Sequence, residues 1–164
     1  MKKFVIKKLN ERGVTIDDMA VLVVELQKEY TNISIELARE HIDHVLTKRE
    51  VQYSVLTGIQ IDELAERGLI DEPLLSIINS DDPLYGVDET LALGITNVYG
   101  TIGLTNFGYL DKVKRGIIGE LDRMGKENEG IVHTFLDDLI CGIVAAACSR
   151  SAHEYGDLNE KSYF

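Results

Sequence analysis

The sequence predicts an all-α fold, a compact single-domain bundle in which a central apolar helix is surrounded by other helices. Apolar residues recur about every 3.6 positions along most of the chain, which is the spacing of one face of an α-helix. Hydrophobic residues make up 45% of the 164 residues and charged residues 27%, a composition typical of globular proteins. No low-complexity tract or linker divides the chain, so we expect one domain over residues 1–164.

The first thirty residues predict a short lead-in followed by one helix. Lysine and arginine are concentrated in residues 1–12, which we interpret as a solvated segment, with peripheral contact to a membrane surface as the alternative. Thr15 and Asp18 have the spacing of a capping box, in which each side chain accepts a hydrogen bond from the backbone N–H of the other residue. A helix is therefore predicted to begin after Thr15 and to end near Tyr30.

The middle of the chain predicts three more helices. Ser34 is a favourable N-cap, and the apolar line that follows it continues to Gly58, so one unbroken helix is predicted between them. A short helix over residues 60–67 should end at Gly68. Another should begin at Pro73, because proline suits the first turn of a helix.

The C-terminal half predicts a buried helix, a short helix and a long last helix. Residues 87–108 are apolar and rich in glycine, which suggests a buried helix that admits close neighbours. The short helix is predicted over residues 116–124. Thr134 occupies an N-cap position before the last helix, which should reach Tyr155 and be followed by a frayed polar tail from Gly156.

Charge and hydropathy exclude several classes of partner. The net charge of -11 gives a surface that repels nucleic acid, so nucleic-acid binding is excluded. The longest apolar run, residues 139–148, is half of the about 20 residues that cross a bilayer, and no secretory signal is visible. A cytoplasmic location is expected, with peripheral contact to the inner face of the membrane as an alternative. Cys141 and Cys148 are interpreted as small buried residues, too far apart to form a disulfide.

Acidic residues beside the apolar segments of the C-terminal half are the candidate site. They are Asp88, Glu89, Asp111, Asp122, Asp137 and Asp138, with Lys114 three positions after Asp111. Ionised carboxylates are rarely left beside an apolar face unless a cation compensates them, and carboxylate oxygens are ligands that Mg²⁺ prefers. The pattern therefore predicts a divalent-metal phosphate site, in which Lys114 would bind the phosphate.

Each part of this pattern also has a simpler explanation. Thr134 and Asp137 have the spacing of a capping box. That explanation does not cover Asp138, because neighbours on a helix point about 100° apart. The first acid pair could simply favour the dipole of its helix, and the lysine could form ordinary surface ion pairs.

Three histidines are weaker candidates. His133 lies just before the last helix and is a candidate general acid. His41 and His44, three residues apart on a helix, could reach one metal ion. No acidic third ligand accompanies them, so packed or solvated side chains are favoured.

The acidic residues resemble the motifs of the phosphatidylglycerophosphatase A family, and most closely those of its soluble Gram-positive branch. In that family an aspartate-glutamate pair precedes a phenylalanine-rich helix, which leads to an aspartate, a lysine three residues on and another aspartate eleven on. A paired aspartate then opens a helix rich in glycine and alanine. The corresponding residues here are, in the same order, Asp88-Glu89, Phe107, Asp111, Lys114, Asp122, Asp137-Asp138, Gly142 and Ala145 to Ala147. The resemblance covers residues 87–147.

The chain departs from the membrane-embedded members of that family at three places. Gly108 stands where they carry an arginine, and Arg115 stands where they carry a proline. Residues 48–58 show no counterpart of their glycine-rich proline-threonine motif. These departures affect the lipid substrate more than the phosphatase chemistry.

The leading hypothesis is a Mg²⁺-dependent phosphomonoesterase. The resemblance implies removal of the terminal phosphate from phosphatidylglycerophosphate in phospholipid synthesis. The expected metal ligands are Asp88, Glu89, Asp111, Asp137 and Asp138, and the expected catalytic residues are Asp111, Lys114 and Asp138. Two alternatives stay open: a small soluble phosphoester as the substrate, and a helical scaffold or binding protein without catalysis. A homo-oligomer formed through the apolar residues 91–104 is open as well.

Overall fold

The computed structural model describes the backbone of residues 1–160 and the side chains of residues 1–154. Within these residues the chain forms nine helices and no strand, which confirms the predicted all-α fold. In chain order they are α1 (Lys2–Glu11), α2 (Ile16–Gln27), α3 (Ile35–Val45), α4 (Arg49–Glu66), α5 (Leu74–Asn79), α6 (Val87–Thr96), α7 (Thr101–Val113), α8 (Ile117–Glu127) and α9 (Leu136–Glu160). None of these described helices is both long enough and apolar enough to cross a bilayer.

The central helix of the bundle is α9. Residues 132–149, which include its first fourteen positions, are buried without interruption. Six other helices pack around it, namely α2, α3, α4, α6, α7 and α8. Full burial of one aliphatic side chain contributes about 1.5–3 kcal/mol, so α9 is the main source of core stability. The same helix carries the acid pair in its first turn.

Two glycines bring α4 and α6 into close contact with α9. A Cβ at Gly58 would lie 2.6 Å from Leu139 Cδ1 and 3.0 Å from Phe135 Cβ. A Cβ at Gly142 would lie 2.8 Å from the carbonyl oxygen of Ala92. Gly58 is thus a packing position inside α4, and the prediction that a helix ends there is wrong.

The chain interrupts its helix earlier, between α3 and α4. The side-chain amide of Gln52 donates hydrogen bonds to the carbonyl oxygens of Leu46 at 2.8 Å and Thr47 at 3.2 Å. These carbonyls follow the end of α3 and lack helical partners, so the glutamine satisfies them and stabilises the break. The helix α4 then absorbs the short helix predicted over residues 60–67.

The N-terminal segment is a packed helix, and its prediction as a solvated lead-in is wrong. Val5 and Leu9 of α1 are buried in the core. Basic side chains of the segment pair with carboxylates of α3 and α4: Lys2 with Asp43 at 2.8 Å, Lys8 with Glu63 at 2.7 Å and Arg12 with Glu66 at 2.7 Å. These charges are therefore compensated within the fold.

Residues 87–108 form two helices, so the prediction of one buried helix is wrong. The chain breaks at residues 97–100, where Gly100 has a φ of +86°, a conformation that glycine adopts readily. Both α6 and α7 pack on α9, but Ile102 and Leu104 of α7 are exposed. These exposed apolar side chains are available for contact with a second copy of the chain, and the homo-oligomer stays a prediction.

The start of α2 lies where the sequence predicts it, and the end of α9 does not. The capping box of α2 is confirmed: Asp18 N–H donates to Thr15 Oγ1 at 3.2 Å, and Thr15 N–H donates to Asp18 Oδ2 at 2.8 Å. The helix α9 continues to Glu160, so the predicted helix end at Tyr155 is wrong, and the fraying expected from Gly156 stays a prediction. The rest of that tail, residues 161–164, lies outside the described residues.

Candidate active site

Lys114 lies at the centre of the candidate site. Its Nζ atom is 2.8 Å from Asp111 Oδ1, 2.8 Å from Asp137 Oδ2 and 3.6 Å from Asp138 Oδ1. Asp111 belongs to α7, and the two other aspartates belong to the first turn of α9. The structure thus brings one lysine and three of the predicted acids together between two helices.

The backbone of Lys114 adopts a left-handed conformation. The residue follows the last turn of α7 with a φ of 45° and a ψ of 57°. A residue other than glycine in this region is strained by about 1–3 kcal/mol and persists only where its surroundings hold it. The carboxylates around the ammonium are such surroundings, so the strained backbone and the ion pairs belong to one arrangement.

The two aspartates at the start of α9 are almost fully buried, with exposed fractions of 5% for Asp137 and 4% for Asp138. Burial raises the pKa of both carboxyls, and the adjacent charge of Asp137 raises the pKa of Asp138 further, while Lys114 acts in the opposite direction. Burial lowers the pKa of Lys114, but the surrounding carboxylates outweigh it and raise this pKa above its usual range. Near neutral pH the lysine is therefore charged, and we expect the acid pair to retain a proton.

The remaining predicted acids lie around this cluster. Asp88, in the first turn of α6, is buried, and its charge contributes to the raised pKa of Asp138. Glu89 is exposed to solvent, so its side chain is not part of the buried cluster. Asp122 of α8 pairs with Lys126 at 2.6 Å.

A polar cleft with a volume of about 230 Å³ lies beside Asp137. It is lined by the end of α5 and the residues after it, by α8 and by the segment before α9. The lining side chains that can form hydrogen bonds are Asn79, Ser80, Asp81, Asp122, Lys126, His133 and Thr134. A small polar group in this cleft would therefore be next to the acid cluster.

The chemistry of these donors fits a hard divalent cation. Three carboxyls, from Asp111, Asp137 and Asp138, contact a single ammonium, and the charge of Asp88 acts on Asp138, so the cluster has an excess of negative charge. Mg²⁺ prefers such oxygens and keeps several waters, so it needs few protein ligands. Asp137 already has both oxygens engaged, by Asp138 N–H and by Lys114, so the ion would be held by the other three aspartates. Among the described residues, no group of three or more His, Cys, Asp or Glu side chains is arranged to hold a metal ion, so these aspartates would have to move closer together when the ion binds.

The start of α9 is capped from another helix, so the capping box predicted at Thr134 is wrong. The Thr134 hydroxyl donates instead to the carbonyl oxygen of Ile78 at 2.6 Å. Asp62 of α4 accepts the N–H groups of Phe135 at 3.1 Å and of Leu136 at 3.0 Å. The helix that carries the acid pair is thus tied to α4 by a buried carboxylate.

Sequence reasoning missed Asp62. The residue lies on the buried face of α4, in line with Val55, Ile59 and Ala65, and is itself fully buried. Burial raises the pKa of Asp62 to about 8, although the two N–H donors and the charge of Arg12 lower it. An acid on an otherwise apolar helical stripe was the available signal, since ionisable groups are rarely buried without a partner.

The histidines lie in packed positions. His133 Nδ1 is 3.0 Å from the carbonyl oxygen of Leu121, which can only accept, so this nitrogen carries the proton. His41 is buried and contacts Arg150. Burial lowers the pKa of both histidines. The two cysteines are free and buried, which confirms their interpretation as small core residues.

Fold and site together define a class of protein, an all-α domain in which buried carboxylates surround a lysine at the start of the central helix. The sequence model of phosphatidylglycerophosphatase A matches residues 14–153 of the chain. The chain therefore belongs to the phosphatidylglycerophosphatase A family. The match also extends well beyond residues 87–147, where the motifs alone indicate the resemblance.

The chain is similar to proteins from several bacteria. It is 51% identical over 154 residues to the uncharacterized protein YpjQ of Bacillus subtilis strain 168, a match that covers 93% of this chain and 85% of the relative. Among solved structures, the low temperature requirement C protein from Listeria monocytogenes is 52% identical with a TM-score of 0.89, covering 94% of this chain and 96% of that one. A protein of unknown function from Bacillus stearothermophilus is 50% identical with a TM-score of 0.89, covering 94% of each chain.

Proposed function

We propose that this chain is a Mg²⁺-dependent phosphomonoesterase that removes the terminal phosphate of phosphatidylglycerophosphate in phospholipid synthesis. One observation carries the proposal: the Lys114 ammonium is held 2.8 Å from carboxylates of two helices, in a cluster with more carboxyls than cations. A phosphate ester needs a cation for its oxygens and an acidic residue to promote attack at phosphorus. Membership of the phosphatidylglycerophosphatase A family supports the same chemistry.

The residues of the cluster divide the reaction between them. Lys114 binds a phosphate oxygen and stabilises the charge that develops on the transferring phosphoryl group. Asp111 holds the ammonium in place through its 2.8 Å contact. Asp138 either accepts the proton of an attacking water or attacks phosphorus itself. In the first route the bond between phosphorus and the alcohol oxygen breaks as water attacks, and Asp138 passes the proton of that water to the alcohol oxygen. In the second route the same bond breaks as an aspartyl phosphate forms and the alcohol oxygen takes a proton from solvent; water then hydrolyses the aspartyl phosphate, which releases phosphate and restores Asp138. Asp88, Asp111 and Asp138 would hold Mg²⁺, which would supply positive charge to the phosphate and to the carboxylates.

The polar cleft favours a second candidate substrate, a small phosphorylated metabolite. Its volume of about 230 Å³ and its hydrogen-bonding lining suit a headgroup or a small polyol rather than acyl chains. Both candidates use the same catalytic residues and differ in the group that carries the phosphate. A non-catalytic helical scaffold remains as the function if the cluster turns over neither substrate.

A phosphate-release assay tests the proposal. Wild type and the Asp138→Asn variant are incubated with phosphatidylglycerophosphate in mixed micelles, and in parallel with soluble phosphoesters of glycerol and other small alcohols, with Mg²⁺ or with EDTA. We expect release that requires Mg²⁺ and that falls by about 10²–10⁴ in the variant, since Asp138 takes part in proton transfer or attack. A preference for the micellar lipid supports the phospholipid role, and a preference for the soluble esters supports the second candidate.

Asp71→Asn is the matched control, because Asp71 is an exposed aspartate outside the cluster. It should retain wild-type release. The Asp138→Asn protein should melt at the wild-type temperature or above it, because the amide removes an acid whose burial is unfavourable. No release by the wild type on any substrate in Mg²⁺, or full activity of Asp138→Asn, would reject the assignment.

A further inference from the structure

The five residues before and at the start of α9, residues 132–136, are tied to the rest of the fold by polar contacts. We call this stretch the α9 lead-in. Its contacts reach three helices and Arg12, the residue that follows α1. Val132 O accepts from Arg12 at 2.6 Å, and Val132 N–H donates to Glu66 of α4 at 3.0 Å. His133 bonds to Leu121 O of α8, Thr134 bonds to Ile78 O of α5, and the N–H groups of Phe135 and Leu136 donate to Asp62 of α4. Every residue of the lead-in is thus held in place immediately before the acid pair.

Asp62 makes the contact nearest to the acid pair. Its Oδ1 atom accepts from Phe135 N–H and its Oδ2 atom accepts from Leu136 N–H, so both oxygens are used on the first turn of α9. Asp137, the next residue along the chain, has its Oδ2 atom 2.8 Å from Lys114 Nζ. Three consecutive residues therefore connect the buried carboxylate of α4 to the centre of the candidate site.

This contact is not the simplest way to cap a helix. Thr134 lies where a local cap would be expected, and its hydroxyl is used on Ile78 instead. A carboxylate that is fully buried loses its hydration, which is unfavourable even when hydrogen bonds compensate it in part. An exposed local cap would satisfy the same N–H groups without that cost, but it would not fix α9 relative to α4.

We propose that Asp62 is a positioning residue, which holds the start of α9 against α4 so that Asp137 and Asp138 meet Lys114. The catalytic part of this inference rests on the proposed phosphatase function. A helix transmits a displacement of its first turn directly to the next residues, because its backbone is a rigid hydrogen-bonded unit. A shift of about 1 Å in catalytic groups can lower a rate by about 10²-fold. Asp62 therefore acts on the reaction without touching the substrate.

The test compares Asp62→Asn and Asp62→Ala with wild type in the Mg²⁺-dependent release assay at about pH 9, above the Asp62 pKa of about 8, where the carboxyl is ionised and both oxygens accept. Asparagine keeps one acceptor oxygen but presents a donor to the second N–H group, whereas alanine removes both acceptors. We expect kcat to fall about 10-fold in Asp62→Asn and about 100-fold in Asp62→Ala, with KM within about 2-fold of wild type because Lys114 still binds the phosphate. The partial rescue by asparagine distinguishes an acceptor role from mere occupation of space.

Two control variants separate positioning from loss of stability. Asp18→Asn makes the same substitution at the local cap of α2, which lies away from the acid pair. Val51→Ala removes buried methyl groups from α4 without touching the lead-in and serves as a variant of lowered stability. Both should keep wild-type kcat at a temperature where they are folded. Wild-type kcat in both Asp62 variants, or an equal loss of kcat in Val51→Ala, would overturn the inference.

Amide hydrogen exchange provides a readout that does not depend on activity. In Asp62→Asn we expect faster exchange of the amides at residues 135–138, with the rest of α9 unchanged. If the wild type releases no phosphate from any ester, the phosphatase proposal fails on its own. The exchange data then decide the role of Asp62 alone, since unchanged protection at these amides would show that Asp62 does not hold the start of the helix.

Discussion

The helices α2 and α9 begin in different ways. The first turn of α2 is capped by Thr15 and Asp18, three residues apart and close to solvent. The first turn of α9 is capped by Asp62, which lies 73 residues before Phe135 and is fully buried. A local cap determines where a helix begins. A cap from another helix also determines where the helix lies.

The two caps therefore differ in whether their loss affects only the stability of the protein or also the position of a helix. The local cap of α2 can be lost with a small decrease in stability and no displacement of any other helix. The buried cap of α9 opposes the free-energy cost of desolvating a carboxylate, so it is favourable only where the position of the helix matters. In this molecule the position of α9 matters at the acid pair, where Asp137 and Asp138 meet Lys114.

The largest effect is expected from Lys114→Met, which removes the only ammonium in contact with Asp111, Asp137 and Asp138 among the described residues. Breaking a buried ion pair on one side is destabilising by about 3–5 kcal/mol, and phosphatase activity should be lost because the ammonium that binds the phosphate is removed. Urea unfolding and the release assay measure the two effects.

The stability loss in Lys114→Met should depend on pH. Without the lysine, the pKa values of the buried carboxyls rise further above their unfolded values, because burial raises them and nothing opposes it. A carboxyl with a raised pKa is stabilising at low pH and loses that contribution as pH rises from about 4 through its folded pKa. The deficit should therefore be larger at pH 8 than at pH 5. Lys112→Met, at an exposed lysine in the last turn of α7, should be neutral at both pH values. A loss of stability in Lys114→Met that is the same at pH 5 and pH 8 would contradict the explanation.

The same comparison explains how much the sequence alone can predict. The fold class and the capping box at Thr15 follow from spacings of three or four residues, which the sequence displays directly. The contact of Asp62 with Phe135 depends on how α4 and α9 pack, which no local spacing reveals. Gly58 looks like a helix stop for the same reason, although it is a point of close contact with α9. Local rules predict elements, and the packing between elements must be observed.

The candidate site shows the same limit. The sequence indicates that Asp111 and Lys114 lie on neighbouring turns and that acids precede two helices. It does not indicate which member of an acid pair faces inward, since neighbours on a helix point about 100° apart. In the first pair Asp88 is buried and Glu89 is exposed, whereas in the second pair Asp137 and Asp138 are both buried. The difference arises because α9 is the central helix, against which six other helices pack.

A smaller effect is expected at the contact between α4 and α9. In Gly58→Ala the new Cβ would meet Leu139 and Phe135 at 2.6 and 3.0 Å, so the Leu139 side chain or the helices must shift, at a cost of about 1–3 kcal/mol. Gly108→Ala is the matched control, because a Cβ there meets nothing within 4 Å and alanine is the better helix former. It should stabilise the protein by about 0.5–1 kcal/mol. Urea unfolding followed by circular dichroism measures both; equal effects of the two substitutions would show that α4 and α9 are not in close contact.

The smallest effect is expected from Thr15→Ala at the local cap. Loss of the hydroxyl leaves the N–H of Asp18 without its acceptor at 3.2 Å, which should lower the free energy of unfolding by about 1 kcal/mol. Because this cap is exposed, water can replace the lost acceptor, and α2 keeps its position. Phosphate release at a temperature where the variant is folded should equal that of the wild type. A loss of kcat as large as that of Asp62→Asn would mean that any weakened helix start impairs the site, and the distinction between local and buried caps would then have no bearing on catalysis.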